Sequence, residues 1–403
     1  MKTITLDDIL AARERIRDVI YHSPCPYSLS LSRLCRCEVY CKLDHLQMTG
    51  SFKERGARNK LMLLSDDERR RGIVAASAGN HALALAYHGG ELSVPVTVVM
   101  PKWAPLVKVS NCRSFGASVI LHGDSYDEAR KHARELSETK MLVYIPGFDD
   151  PDIIAGQGTL GLEILEDVPD VDAVIVPIGG GGLIAGVGLA IKSLKPSVRI
   201  IGVEPANAPT YVESCKNNQV TRIETKPTLA DGLAVAEVGK LCFDIARSVV
   251  DEVRLVDEAE IARSVLKLLE LEKTVVEGAG AVPLAAAADP TLDLSGKKVV
   301  LLLCGGNIDV TMISRVIERG LAVDGRLCRI VAQITDRPGG LARLAALLAG
   351  TGASIKEIDH DRHFGPADVA MVNVICTLET RDHAHIKDVE MTLAKAGIVF
   401  DVR

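Results

Sequence analysis

The sequence predicts an α/β protein with parallel sheets over its first 320 residues, followed by a small α+β domain. Two patterns carry this expectation. From about residue 70, short β-branched runs alternate with stretches of helical periodicity, the mark of parallel strands covered by helices on both faces. Beyond about residue 320 the order becomes strand, helix, strand, strand, helix, strand, which defines a ferredoxin-like sandwich.

The elements follow in order. Lys53 opens a helix whose apolar positions recur through Leu61 and Leu64, and Ser51 with Glu54 three residues later fits a capping box. Gly72-Ile-Val-Ala-Ala is a strand that runs into Ser77-Ala-Gly-Asn-His and an alanine-rich helix. Residues 94–100 form a buried strand, followed by Pro101, Pro105 and a helix containing Lys108; 117–121 is a strand and 124–139 a helix. Further strands are expected at 171–178, 198–203 and 298–303. A linker at 321–327 separates residues 1–320 from the tail, 328–403. In the tail, strands fall at 329–335, 353–360, 367–378 and 398–402, with helices at 338–348 and 382–396.

Bulk composition narrows the function. Apolar residues make up 47% of the 403, and 47 basic against 53 acidic residues leave a net charge of −6, which argues against a nucleic-acid or membrane partner. The first twenty residues are studded with charge and lack the apolar core of a signal peptide, so a cytoplasmic location is expected. Ten cysteines in such a chain read as free thiols, and the spacing of Cys35, Cys37 and Cys41 matches no zinc pattern. The charge-free run 173–191 holds four glycines after Pro177, so it breaks into strand, loop and helix and does not read as a membrane span.

Three strand ends are candidate binding sites. Gly179, Gly180, Gly181 and Gly182 lie between a strong strand and a helix, where bare backbone amides and the helix N-terminus suit a phosphate; a tight turn with close packing is the alternative. Ser77 to His81 forms a second such turn, suited to a carboxylate or to plain helix capping. Cys304-Gly-Gly-Asn ends a third strand. Beside them stands Lys53, at the positive end of a helix dipole that favours its neutral, nucleophilic form; alone it reads more readily as a solvated helix lysine than as a catalytic one.

Together these motifs closely resemble those of the fold-type II pyridoxal-phosphate enzymes of the threonine/serine dehydratase family. The resemblance rests on Gly50-Ser-Phe-Lys-Glu-Arg-Gly-Ala, Ser77-Ala-Gly-Asn-His, Ala155-Gly-Gln-Gly-Thr, Pro177-Ile-Gly-Gly-Gly-Gly-Leu, Leu229-Ala-Asp-Gly and Cys304-Gly-Gly-Asn, in family order. It implies two α/β lobes, the smaller at about 41–145 inserted in the larger, and pyridoxal 5′-phosphate as cofactor. It further implies that Lys53 holds the cofactor as a Schiff base and then acts as general base, with Phe52 against the ring. Asn80 is implied at the 3′-hydroxyl, Gly179 to Leu183 at the phosphate and Cys304 at the pyridine nitrogen. Ser77, Ala78, Gly79 and His81 would surround the substrate carboxylate, and Phe148 would pass near the substrate side chain or pack in the core. No metal site is expected, since Glu204 lacks the family's second acidic partner, where Thr210 stands.

The tail resembles an ACT domain, which implies an amino-acid effector at the turn formed by Asp336, Gly339, Gly340 and Leu341, with Asp336 meeting an ammonium group. The family resemblance as a whole implies a homodimer or homotetramer that deaminates a small amino-acid substrate, L-threonine, with serine as a side substrate. A serine dehydratase or racemase, a 3-hydroxyaspartate ammonia-lyase and a non-catalytic amino-acid sensor stand as alternatives. Ala78 bears on the choice: it carries no exchangeable proton where racemases of the family carry a serine.

Overall fold

The computed structural model of the chain describes residues 4–362, 368 and 370–402. They divide into two compact units, Met1–Val310 and Thr311–Arg403. The first unit contains, in chain order, β1 (Tyr27–Ser28), β2 (Glu38–Lys42), β3 (Ile73–Ala76), β4 (Val96–Met100), β5 (Ser118–Leu121), β6 (Val143–Tyr144), β7 (Ala173–Pro177), β8 (Arg199–Pro205), β9 (Glu252–Val256) and β10 (Lys298–Leu302). They build a six-stranded sheet, ordered β1-β2-β10-β7-β8-β9, and a four-stranded sheet, ordered β5-β4-β3-β6. Every pairing is parallel except β1 with β2. The central strands β3 and β7 are buried along their whole length, as continuous apolar runs in a two-sided sheet must be.

Ligands of open parallel sheets collect at the carboxyl ends of strands, beside points where strand order reverses. Here β3 ends at Ser77, β7 runs into the glycine loop and β10 into Cys304, so three of the expected motifs leave strand ends of the same polarity. The charge-free run divides as anticipated, into β7, the loop and the helix Gly182–Leu194.

Two packing devices place Lys53. The strand-like segment before it is stitched to the segment after β10: Phe52 N–H donates to Cys304 O at 3.0 Å, and Gly306 N–H to Gly50 O at 2.9 Å. Its own helix, Lys53–Met62, lies on the helix Pro151–Asp167 with two glycines face to face. A Cβ on Gly156 would sit 2.6 Å from Gly56 Cα, and one on Gly56 would sit 2.8 Å from Ile153 O. On its other side the same helix meets Gly182–Leu194, where a Cβ on Gly158 would sit 3.1 Å from Gly186 O. The Ala155-Gly-Gln-Gly-Thr motif is thus the joint holding the lysine helix and the glycine-loop helix at one spacing. Gly156→Ala is expected to force these helices apart and lower the free energy of unfolding by about 1–3 kcal/mol, the usual range for overpacking. Denaturant titration measures it, and an unchanged midpoint would contradict the packing argument.

The capping box expected at Ser51 and Glu54 does not form. The helix begins at Lys53 behind Phe52, and the Ser51 hydroxyl is buried without a hydrogen-bond partner. Glu54 instead turns inward, accepts the Thr49 N–H and faces His88 Nε2 at 3.3 Å. The reason is burial: this helix end lies inside the protein, where Glu54 satisfies a loop amide rather than its own cap.

The second unit carries β11 (Leu327–Thr335), β12 (Ser354–Asp361), β13 (Met371–Glu379) and β14 (Val399–Val402), with helices Gly340–Gly350 and His383–Lys395. Its antiparallel order, β12-β13-β11-β14, is the ferredoxin-like arrangement, closed on a core of Ile330, Leu344, Val374 and Leu393. Residues 321–327 are not the linker read from their composition: helix Val310–Val323 runs into them and β11 begins at Leu327, so only a tight turn separates the two elements. The expected start of the third tail strand at Ala367 lies outside the described residues.

Candidate active site

The strand ends of the first unit enclose a cleft of about 490 Å³, lined among others by Lys53, Ser77, Asn80, Gly180, Glu277 and Cys304. Phe52, Ala78, Gly79, His81, Phe148, Gly179, Gly181, Gly182 and Leu183 also line it, so every expected cofactor and substrate residue falls on this one cavity.

Lys53 Nζ donates to Gly147 O at 2.6 Å and sits 5.1 Å from the centre of the Phe52 ring, on the cation–π side. Burial pushes its amine down to about 8, against the raising influence of Cys242, Cys304 and Glu277. Desolvation thus brings the neutral form of this amine closer to neutral pH than in an ordinary lysine.

The glycine loop is a tight, closely packed turn. On the side where Cβ atoms would project, Gly180 lies against the Phe148 ring, Gly182 against Phe148 Cβ at 3.1 Å and Gly181 against Cys242 Cβ at 2.9 Å. Gly181 also holds a left-handed φ of +90°, as the residue preceding the helix Gly182–Leu194. With that side packed shut, the amides and the helix N-terminus are the groups left to receive an anion. Phe148, expected at the substrate side chain, therefore acts first as the floor of this loop, its ring wedged against Gly180.

Two further side chains already have partners within the protein. His81 does not offer its ring to a carboxylate: Nε2 is 3.2 Å from Ile145 O, which can only accept, so Nε2 carries the proton. Burial, then the nearby Lys53, pushes this imidazole down to about 3, so it stays neutral. The Asn80 side chain is also partnered, accepting from Asn307 Nδ2 at 2.9 Å and donating to Glu277 Oε1 at 2.8 Å. Glu277 went unread in the sequence, and only its solitary position before an alanine-rich helix marks it. Cys304 is buried, and burial pushes its thiol well above the ordinary range, so it is neutral. Ser77 Oγ accepts from Gly79 N–H at 3.3 Å, shaping the turn before helix Asn80–Glu91.

Glu204 is a helix cap. Its carboxylate accepts Tyr211 N–H at 2.7 Å and Val212 N–H at 3.0 Å, while Thr210 Oγ1 donates to Val235 O at 2.6 Å. In the second unit, Gly339 has a φ of +91° and precedes helix Gly340–Gly350. Asp336, expected to meet an ammonium group, already holds the Arg362 guanidinium through bonds of 2.9 and 3.1 Å; Leu341 is exposed.

Residues 16–305 match the family model described as "Pyridoxal-phosphate dependent enzyme", and the chain belongs to that family. Its cofactor is accordingly pyridoxal phosphate. Among curated proteins, the chain is 46% identical to the L-threonine ammonia-lyase of Thermotoga maritima, with 99% of each chain covered. Among solved structures, it resembles the processed form of threonine deaminase isoform 2 from Solanum lycopersicum (38% identity, TM-score 0.75, 78% of this chain and 92% of that one). It also resembles a serine racemase from Dictyostelium discoideum (36% identity, TM-score 0.73, 77% of this chain and 100% of that one). The residues present fit the cofactor: a partly desolvated amine, a glycine cradle whose rear is packed shut, and a neutral thiol share one cleft. No helix among the described residues is long and apolar enough to cross a membrane.

Proposed function

We propose that this protein deaminates L-threonine to 2-oxobutanoate and ammonia by eliminating the β-hydroxyl, with L-serine as a poorer substrate. The observation that carries this reading is the asymmetry of the cleft. Lys53 presents an amine, and position 78, where a racemase needs a second proton carrier, is a methyl group.

Bound pyridoxal phosphate supplies an aldehyde for covalent capture and a ring that delocalises electrons released at Cα. Lys53 Nζ would hold the cofactor covalently and would be the base that takes the Cα proton. The glycine-loop amides hold the phosphate, and Asn80 faces the 3′-hydroxyl. The backbone N–H groups of Ala78, Asn80 and His81, at the start of a helix, would bind the substrate carboxylate; Ser77 N–H is spent on Val99 O, Gly79 N–H on Ser77 Oγ and the His81 ring on Ile145 O. Cys304, a neutral thiol, would face the ring nitrogen without fixing a proton on it as a carboxylate would, which would favour loss of the β-hydroxyl over reprotonation. In the net reaction, the Cα hydrogen and the β-hydroxyl would leave together as water, and the enamine so formed would take up one water to give the oxo acid and ammonia.

The tail is read as an ACT domain that senses an amino acid at its Gly339–Leu341 turn. The ferredoxin-like order and the full-length match to a 46% identical relative support this. With Asp336 occupied by Arg362, the amides of the turn are the groups left to receive the effector carboxylate. A homodimer or homotetramer working in the cytoplasm completes the proposal, the latter in keeping with ten free thiols. The test is a panel of hydroxy amino acids assayed for oxo-acid release, with and without branched-chain amino acids. Threonine should rank first, and serine enantiomers should interconvert far more slowly than threonine is consumed. Serine or 3-hydroxyaspartate ranking above threonine would sink the substrate assignment.

A further inference from the structure

Glu277 takes part in none of the contacts assigned above to cofactor or substrate, yet its carboxylate is buried in the cleft wall. It immediately precedes helix Gly278–Ala287, and its backbone N–H donates to Gly305 O at 3.0 Å, binding it to the segment that carries Cys304. Gly305 crowds Oε1 so closely that any side chain at 305 would collide with the carboxylate. That carboxylate receives Asn80 Nδ2 at 2.8 Å, and the nearby Asn307 amide favours its charged form.

The consequence falls on Asn80. A carboxylate can only accept, so the NH₂ end of the Asn80 amide must face Glu277. Its oxygen is meanwhile held by Asn307 Nδ2 at 2.9 Å, which also reaches Thr49 O at 2.6 Å, in the segment leading to Lys53. Oxygen and one N–H are occupied; one N–H remains for the cleft.

We propose that Glu277 is a positioning residue of this active site, whose carboxylate locks the Asn80 amide so that its free N–H meets the cofactor's 3′-hydroxyl oxygen. The inference deepens the reading of the preceding section and rests on it. The lock depends on charge, because an ionised carboxylate accepts the Asn80 N–H more strongly than a carboxylic acid does. The groups facing Glu277 place that change near neutrality. Burial and then Asp231 push it up to about 7, opposed by Asn80, by Lys108 and by the Asn307 amide; Lys53 and Cys304 share the same wall. The cofactor should therefore be held more tightly as pH rises through about 7.

The test titrates the full-length apoprotein with pyridoxal phosphate, reading affinity and the visible absorption of the bound cofactor across that range. Wild type should show a step in both near pH 7. Glu277→Gln, which replaces the charged acceptor with a neutral amide, should bind about tenfold more weakly on the alkaline side and lose the step. Adding Asn80→Ala to Glu277→Gln should then cause little further loss, because the two act as one unit. Should Glu277→Gln fail to fold, Glu277→Asp, which keeps the charge but draws it back from Asn80, should keep the step with weakened binding. Variants that titrate and bind as wild type overturn this inference alone. No cofactor absorption in wild type overturns it together with the proposed function.

Discussion

Replacing Lys53 with alanine is expected to lower kcat by more than about a thousandfold while leaving the apoprotein folded and no less stable at neutral pH. The loss combines two roles, covalent capture and Cα-proton removal, and the second alone is commonly worth about a hundred- to ten-thousandfold. The stability expectation follows from linkage. Burial lowers the folded-state pKa of Lys53 from 10.5 to about 8, so between those values the unfolded chain binds more protons and stability rises with pH. At pH 7 the folded protein therefore holds a protonated amine in an unfavourable setting, which alanine removes. The same shift makes a kinetic prediction. Capture of added pyridoxal phosphate by wild-type apoprotein should accelerate through about pH 8. At pH 7 an amine of pKa about 8 is neutral in about a tenth of molecules, some 300-fold more than an ordinary lysine. Stopped-flow absorbance checks it, and a capture rate still climbing steeply through pH 10 would show that Lys53 is not desolvated. A variant that lost activity together with its thermal transition would instead point to a structural role.

How much of this could be read in the sequence depended on whether a residue's neighbours in space were also its neighbours in the chain. The strands β3, β4, β7, β8 and β10 were legible because each is a compact β-branched run, and the glycine loop because β7 and its helix flank it directly. β2 was not: Glu38-Val-Tyr-Cys-Lys begins and ends with charge, and its Lys42 is fully buried only because Glu163 and Asp167, on a distant helix, each meet it at 2.8 Å. β9, Glu252-Val-Arg-Leu-Val, is an edge strand whose half-exposed face disguises it. Lys53, Asn80 and Cys304 were legible as motif residues, but the grip on Asn80 was not, since Glu277 lies 197 residues away. Glu54 shows the opposite error. Its spacing from Ser51 satisfied a local rule, while a long-range fact, burial against His88, decided its rotamer.

Arg55 illustrates the same limit with the largest expected effect on stability. In sequence it is one more charged residue on the lysine helix; in the fold it is 1% exposed and carries the most buried ionic network of the first unit. Its guanidinium donates to Asp44 at 2.7 and 3.0 Å and to Glu163 at 2.6 and 2.9 Å, and Glu163 also meets Lys42. Asp44 takes further bonds from Ser23 and Gln47, both at 2.9 Å. This network pins the start of the Lys53 helix to the 44–46 turn on one side and to helix Pro151–Asp167 on the other. Arg55→Met fills much of the volume but leaves Asp44 buried without a cation and Glu163 with Lys42 alone, and breaking such a network typically costs about 3–5 kcal/mol. The pH dependence has a definite sign. In wild type, although burial opposes it, Arg55 and the bonds from Gln47 and Ser23 hold Asp44 below its ordinary range, so their contribution is present above about pH 4 and lost as pH falls through the depressed value. In Arg55→Met the unpaired Asp44 is raised instead, and protonation relieves it. The gap in unfolding free energy between the two proteins should therefore narrow from pH 7 to pH 5. Asp44→Asn combined with Arg55→Met should recover part of the loss, giving a clear coupling energy in a double-mutant cycle. Because Arg55 lies two residues from Lys53, the single variant should also lose turnover in proportion to the slackened helix start. Denaturant titration at the two pH values decides the matter: a gap that stays below about 1 kcal/mol would mean the network is solvated rather than sealed.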